Sequence, residues 1–140
     1  MLEASTTIAI AGAGSIGCYV GGTLALAGRR VRLLARQRIV DAAAARGFDI
    51  ADLGAPHQHL SPSAFAASED PAEALAGAGL VLVTVKSRDT AAMAATIARH
   101  APPDAVVISL QNGTANTGVL RRGLGALQSS VASMISFNVV

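Results

Sequence analysis

The chain has one cysteine, one lysine and no tryptophan; aromatic residues make up 3% of it and charged residues 14%. Each scarcity excludes something. A lone Cys18 cannot form an internal disulfide, which fits a reducing, cytoplasmic location. With so few aromatics, Ala, Val, Leu and Ile must build the interior. Half of the 140 residues are apolar (51%), enough for one domain with a real core. A core of such small residues suits a parallel sheet buried on both faces by helices. Long basic runs are also missing. Ten arginines and the lysine against nine acids leave a net charge of only +2, and the one local group is Arg29, Arg30, Arg32, Arg36 and Arg38. Without aromatic interleaving, that pattern does not point to nucleic acid; a small anionic ligand is the better expectation.

Charge is absent altogether from Ala4 to Gly28, a stretch long enough to cross a bilayer, and Gly17 and Gly21 form a GxxxG pair within it. Six glycines between Ile8 and Gly28, with Gly12, Gly14 and Gly17 crowded together, argue instead for a turn and a closely packed helix. No membrane span is expected. A secretory leader is not expected either, because the first residues carry Glu3 and neither Lys nor Arg.

The pattern along the chain alternates strand and helix. Thr6–Ala11 reads as a first strand, the glycines 12–17 as a turn, and Ser15–Ala27 as a helix closed by Gly28. Val31–Ala35 reads as a second strand, Ile39–Arg46 as a helix stopped by Gly47, and Phe48–Ile50 as a third strand. The irregular segment Ala51–Ser68 has room for a short hairpin around His59-Leu60 and Phe65. Asp70-Pro71-Ala72-Glu73 carries a helix start: an acid at the cap, proline in the first turn and glutamate three residues on, with the helix expected to reach Gly77 or Gly79. Leu80–Val85 is a continuous apolar run, the mark of a central parallel strand. A helix over Asp89–His100, a strand over Val106–Leu110, a helix capped by Thr114 and a last strand over Ser130–Phe137 follow. This alternation implies right-handed βαβ units, hence a doubly wound, mostly parallel sheet in a three-layer α/β/α arrangement. The chain stops straight after its last strand, which suggests a piece of a longer protein.

Gly12-Ala13-Gly14-Ser15-Ile16-Gly17 is a GxGxxG lying between a strand and a helix, the context that gives the motif its meaning. Gly12 permits the tight turn, Gly14 lets backbone approach a pyrophosphate, and Gly17 allows close helix–strand packing. The free N–H groups and helix dipole over Ser15, Ile16 and Gly17 then favour phosphate. Dinucleotide enzymes that use NAD place an acid about twenty residues further on, at the ribose 2′-hydroxyl. Here the second strand ends in Ala35-Arg36-Gln37-Arg38, with no acid before Asp41. A guanidinium at Arg36 pairs bidentately with a 2′-phosphate, so NADPH is the expected cofactor, with Arg38 as a second contact. Lys86 follows the central strand, on the edge where open α/β sheets bind ligands. It suits either a ribose, carboxylate or nicotinamide contact or an ordinary exposed lysine. Gln111-Asn112-Gly113 ends the next strand on the same edge, and Asn112 suits either a cofactor or carbonyl contact or simple turn chemistry. His57 and His59 supply too few ligands for a metal site. Cys18, in the first turn of the glycine-loop helix, reads as a small gap-filling residue, although that location can lower a thiol pKa.

Taken together, GAGSIGCYVGGTLALAGRRVRLLAR, VLVTVKSRDT and VVISLQNGTAN resemble the ketopantoate reductase (2-dehydropantoate 2-reductase) family over nearly all of the chain. The resemblance implies that Gly12, Gly14, Ser15, Ile16 and Gly17 line the pyrophosphate site, that Arg36 takes the 2′-phosphate of NADPH, and that Lys86 and Asn112 lie near nicotinamide and substrate in supporting catalytic roles. It implies that the keto group of 2-dehydropantoate accepts hydride, and that a lysine acting as proton donor and a carboxylate come from a second, helical domain outside these residues. This chain then forms one wall of the substrate cleft and is inactive alone. Ser136-Phe137-Asn138 departs from the small polar residues usual after that strand. Two alternatives stay open: another two-domain NADP-dependent 2-keto acid reductase, and a non-catalytic NADP-binding module. Apolar surface at the open edge leaves room for a homodimer.

Overall fold

The computed structural model describes residues 2–126 and 128–132. Among the described residues eight strands and five α-helices follow one another as β1 (Thr7–Ala11), α1 (Ser15–Leu26), β2 (Arg30–Leu34), α2 (Gln37–Arg46), β3 (Phe48–Ile50), β4 (Gln58–Leu60), β5 (Ala66–Ser68), α3 (Pro71–Leu75), β6 (Ala78–Val83), α4 (Thr90–His100), β7 (Val106–Ser109), α5 (Ala115–Gly123) and β8 (Ser129–Ala132). Six strands form one sheet in the order β5-β2-β1-β6-β7-β8, and every pairing in it is parallel. The remaining two, β3 and β4, pair antiparallel in a separate ribbon.

Strand periodicity sorts the sheet's side chains into two cores. In β1, Ile8 and Ile10 point to one face, with Val31, Leu33, Leu80 and Leu82. Ala9 and Ala11 point to the other, with Val81, Val83 and Val107, where Leu75 of α3, Ile97 of α4 and Leu120 of α5 seat fully buried. Each such aliphatic side chain stabilises the fold by roughly 1.5–3 kcal/mol. The first core is covered by α1, so helices flank both faces and the three-layer α/β/α arrangement holds.

Helix α1 shows why this chain carries so much glycine. A Cβ on Gly21 would stand 2.7 Å from Leu33 Cδ2 of the sheet, and one on Gly22 would stand 2.6 Å from Ile50 Cδ1 of the ribbon. The helix is therefore pressed between sheet and ribbon, and only glycine fits on both of those flanks. The uncharged stretch that could have spanned a bilayer is instead split between β1 and this 12-residue helix. Among the described residues no helix is long and apolar enough to cross a membrane.

Several expectations need correction. Phe48–Ile50 is a strand but does not join the main sheet; it pairs with Gln58–Leu60, anchored by Leu60 in the core and by Phe48 stacking on Phe65 with ring centroids 4.9 Å apart. The edge strand of the sheet is Ala66–Ser68, and Phe65 precedes it rather than forming a hairpin. Helix α3 ends at Leu75, before the glycines, and its cap is as expected, with the Asp70 carboxylate accepting from the Ala72 N–H at 2.9 Å. Thr114 stands at the N-terminus of α5, but its side chain does not cap it. The last strand begins at Ser129, and Ser136-Phe137-Asn138 lie outside the described residues.

Candidate functional site

A parallel sheet brings the C-terminal ends of all its strands to one edge. Between β1 and β6 the direction of winding reverses: β2 and β5 lie to one side, β7 and β8 to the other. Chain leaving two adjacent strands in opposite directions opens a crevice, and this is where open α/β sheets take their ligands.

The glycine turn sits at that crevice. Gly12 has φ +87°, and a side chain there would collide with Val85, so the position demands glycine twice over. The turn is clamped from both sides. Gly12 N–H and Ala13 N–H both donate to the Leu34 carbonyl, at 3.1 and 2.9 Å, while Thr84 Oγ1 donates to the Gly12 carbonyl at 3.0 Å. Gly17 packs so tightly that a Cβ would stand 2.6 Å from Thr84 Oγ1 and 3.0 Å from Ile10 Cγ2. Gly14 differs from both: nothing lies within 4 Å of where its Cβ would be. Its face is open to solvent.

That open face lies at the start of α1. The helical ladder begins with Cys18 N–H donating to the Gly14 carbonyl at 2.8 Å, so the N–H groups of Ser15, Ile16 and Gly17 precede the first intrahelical bond. No side chain caps this end, and no acid occupies its first turn. The residues therefore fit an anionic diphosphate: free donors, a positive dipole end, and no carboxylate or Cβ in the way.

Arg36 follows β2 and forms the N-cap of α2 in an extended conformation. Its side chain and that of Arg38 are exposed and bond to no described residue. The first acid after the strand, Asp41, lies one turn into α2, where its carboxylate accepts from Gln37 Nε2 at 2.8 Å. The end of β2 thus offers cations and no free acid. Lys86 is exposed in the loop after β6, at the N-cap of a 3₁₀ turn over Ser87–Asp89. Asn112 is exposed in the loop after β7. Val83 pairs with Ser109 at the end of the ladder, and Lys86 and Asn112 each lie three residues beyond that pair in the two neighbouring loops.

Sequence reasoning missed what lies beneath that pair. Ser109, Gln111, Thr90 and Asn116 are all buried and joined by hydrogen bonds into one chain. Two polar residues on helices and two near a strand end gave no local signal of this, since nothing in the sequence shows that they converge. Cys18 is half-buried, its thiol pushed up from the ordinary range by burial, with Sγ 3.7 Å from the Ala13 carbonyl. His59 pairs with Asp49 at 2.8 Å on the outer ribbon, and no group of three metal-ligating side chains occurs among the described residues.

Sheet order, switch-point crevice and glycine turn together define a Rossmann-like nucleotide-binding domain of the kind found in NAD(P)-dependent oxidoreductases. The ketopantoate reductase PanE/ApbA family model matches residues 8–139, and the chain belongs to that family. Among solved structures it resembles a PanE/ApbA family ketopantoate reductase from Ralstonia eutropha JMP134, 39% identical, with a TM-score of 0.81 over 91% of this chain and 40% of that one. It is also 34% identical to a glycerol-3-phosphate dehydrogenase [NAD(P)+] of Corynebacterium jeikeium, over 94% of this chain and 39% of the relative. An octopine dehydrogenase structure with NADH and L-arginine, at 21% identity and a TM-score of 0.73 over 93% of this chain and 34% of its own, shares the fold. The chain thus spans about two-fifths of the length of the first two relatives.

Proposed function

We propose that this chain is the NADPH-binding domain of a 2-dehydropantoate 2-reductase, with hydride passing from the cofactor to the keto group of 2-dehydropantoate. The observation that carries the cofactor part is the contrast at the end of β2: Arg36 and Arg38 are exposed and without a partner among the described residues, and the nearest following acid is occupied by Gln37. A carboxylate at that point would accept from a ribose 2′-hydroxyl and repel a 2′-phosphate, whereas a guanidinium does the reverse. In this reading Gly12, Gly14, Ser15, Ile16 and Gly17 hold the pyrophosphate, Arg36 holds the 2′-phosphate, and Lys86 and Asn112 reach the nicotinamide end. When bound there, NADPH supplies the hydride; the chain's own work is to orient it. Lys86 brings a positive charge beside the carbonyl or carboxylate of a 2-keto acid, and Asn112 offers an amide to a ribose or carbonyl oxygen.

Family membership favours the pantoate substrate, while likeness to a glycerol-3-phosphate dehydrogenase supports a second reading with the same cofactor and a different substrate. Calorimetric titration with NADPH and NADH tests the cofactor assignment; tighter binding of NADPH is expected, and equal affinities would overturn it. Steady-state assay of the gene product tests the substrate. NADPH oxidation with 2-dehydropantoate supports the first reading, and NADP+ reduction with glycerol 3-phosphate supports the second.

A further inference from the structure

The buried polar chain under Lys86 and Asn112 has a definite direction. Ser109 Oγ donates to Gln111 Oε1 at 2.9 Å. Gln111 Nε2 donates to the Val85 carbonyl at 2.9 Å and to Thr90 Oγ1 at 2.7 Å. Thr90 Oγ1 donates in turn to Asn116 Oδ1 at 3.2 Å, and Asn116 Nδ2 donates to Ser87 Oγ at 3.0 Å and to the Asn112 carbonyl at 2.9 Å. Thr90 is completely buried, and Ser109, Gln111 and Asn116 are between 2% and 6% exposed.

The far ends of this chain are what give it meaning. It grips the carbonyl of Val85, immediately before Lys86, and the hydroxyl of Ser87, immediately after. It also grips the carbonyl of Asn112 itself. Stability alone does not require such a device, because replacing both partners of a buried hydrogen bond by apolar groups of the same shape is nearly neutral. What an apolar filling cannot do is fix two loops in register, since dispersion is non-directional whereas a satisfied hydrogen-bond network specifies one arrangement.

We propose that Asn116 and Gln111 are positioning residues that hold Lys86 and Asn112 in mutual register at the nicotinamide end of the crevice. This inference rests on the dinucleotide reading above. The amide orientations are forced, because the Val85 and Asn112 carbonyls can only accept. A carboxylate in place of either amide therefore faces a carbonyl oxygen, and the loop it held must shift.

The test compares two ligands that reach different parts of the crevice. Adenosine 2′,5′-bisphosphate carries the 2′-phosphate but no nicotinamide; NADPH carries both. Asn116→Asp and Gln111→Glu are each expected to weaken NADPH about tenfold, the net contribution of one hydrogen bond, and to leave adenosine 2′,5′-bisphosphate unchanged. Ser87→Ala removes only the outermost bond, at an exposed residue, and so tests the same split in a variant whose fold is not at risk; roughly a threefold loss for NADPH alone is expected. An equal loss for both ligands would mean general loosening and would overturn the proposal, as would no loss for either. If the wild-type chain binds neither ligand, the dinucleotide reading itself fails, and that outcome is distinct from a variant behaving like wild type.

Discussion

The two halves of the crevice are built by different means. On the β1–β2 side the chain is held by its own backbone: Gly12 and Ala13 donate to Leu34, Ala35 donates to Ser68, and glycines let helix and sheet touch. Arg36 and Arg38 there are exposed and bond to no described residue. On the β6–β7 side, side chains hold the loops, through Gln111, Thr90 and Asn116. A diphosphate is a large fixed charge that backbone donors at a helix end can bind. A nicotinamide and a small substrate must be held to within a fraction of an ångström, and a network of side-chain bonds provides that constraint.

Gly14→Val breaks the backbone-built half most completely. The side chain enters open space, so the fold and melting temperature should be unchanged, while the pyrophosphate loses its approach to the backbone. No NADPH binding should be detectable by titration. Retained binding with a normal circular dichroism spectrum would place the ligand elsewhere.

Gly12→Ala attacks the same turn through stability. A residue at φ +87° with its Cβ driven into Val85 combines backbone strain with overpacking, together roughly 3 kcal/mol. On a domain of this size that lowers the melting temperature on the order of 10 °C. Thermal melts of the two glycine variants side by side separate the two roles: one glycine shapes the turn, the other leaves room for a ligand.

The contrast between the halves also explains what could be read from sequence. A glycine motif is local: strand, turn and helix adjoin in the chain, and Asp70-Pro71 announces its helix within four residues. The parallel, doubly wound sheet follows from the alternation of elements, but its edge strand Ala66–Ser68 does not. Three-residue strands are different, because a period of two cannot be established over three residues. Whether Phe48–Ile50 pairs with the main sheet or with Gln58–Leu60 is decided by where Ile50 and Leu60 find burial, on the outer side of α1. Asn116 and Thr90 are 26 residues apart and meet only because α4 and α5 pack together. On a helix, an isolated Asn or Thr looks like any solvent-facing polar residue. The candidate site's glycines and charged residues therefore stand out in the sequence, and the side chains that hold its other half do not.

Arg36→Ala sharpens the comparison from the charge side. The side chain is exposed and bonds to nothing described, so stability should not move. The preference for NADPH over NADH should fall by roughly 1.5–3 kcal/mol, the scale of a charge-assisted hydrogen bond. Titration with both cofactors measures this directly, and an unchanged ratio would remove Arg36 from the 2′-phosphate site.

The smallest effect concerns Cys18, where two influences oppose each other within one helical turn. The N–H groups of Ser15, Ile16 and Gly17 precede the first intrahelical bond, and a thiolate near that positive end would be favoured. The Cys18 side chain instead packs against the core on the α1 side of the sheet, with Sγ 3.7 Å from the Ala13 carbonyl, and its thiol stands above the ordinary value because burial disfavours the anion. Desolvation by burial is what raises it. Alkylation by iodoacetamide at pH 8 should accordingly be slower than that of a free thiol, and should speed up on unfolding. The linkage has a definite sign. A raised folded pKa means that the unfolded chain releases its proton first, so stability is constant below the unfolded value near 9 and declines as pH rises from there through the folded pKa. Cys18→Ala should reduce that alkaline decline, leaving the part due to Tyr19, whose phenol is raised chiefly by its hydrogen bond to Asp52, while NADPH affinity stays intact. A fast-reacting Cys18 in the folded protein would reverse the assignment, showing the thiol to be turned toward the helix end and the phosphate site.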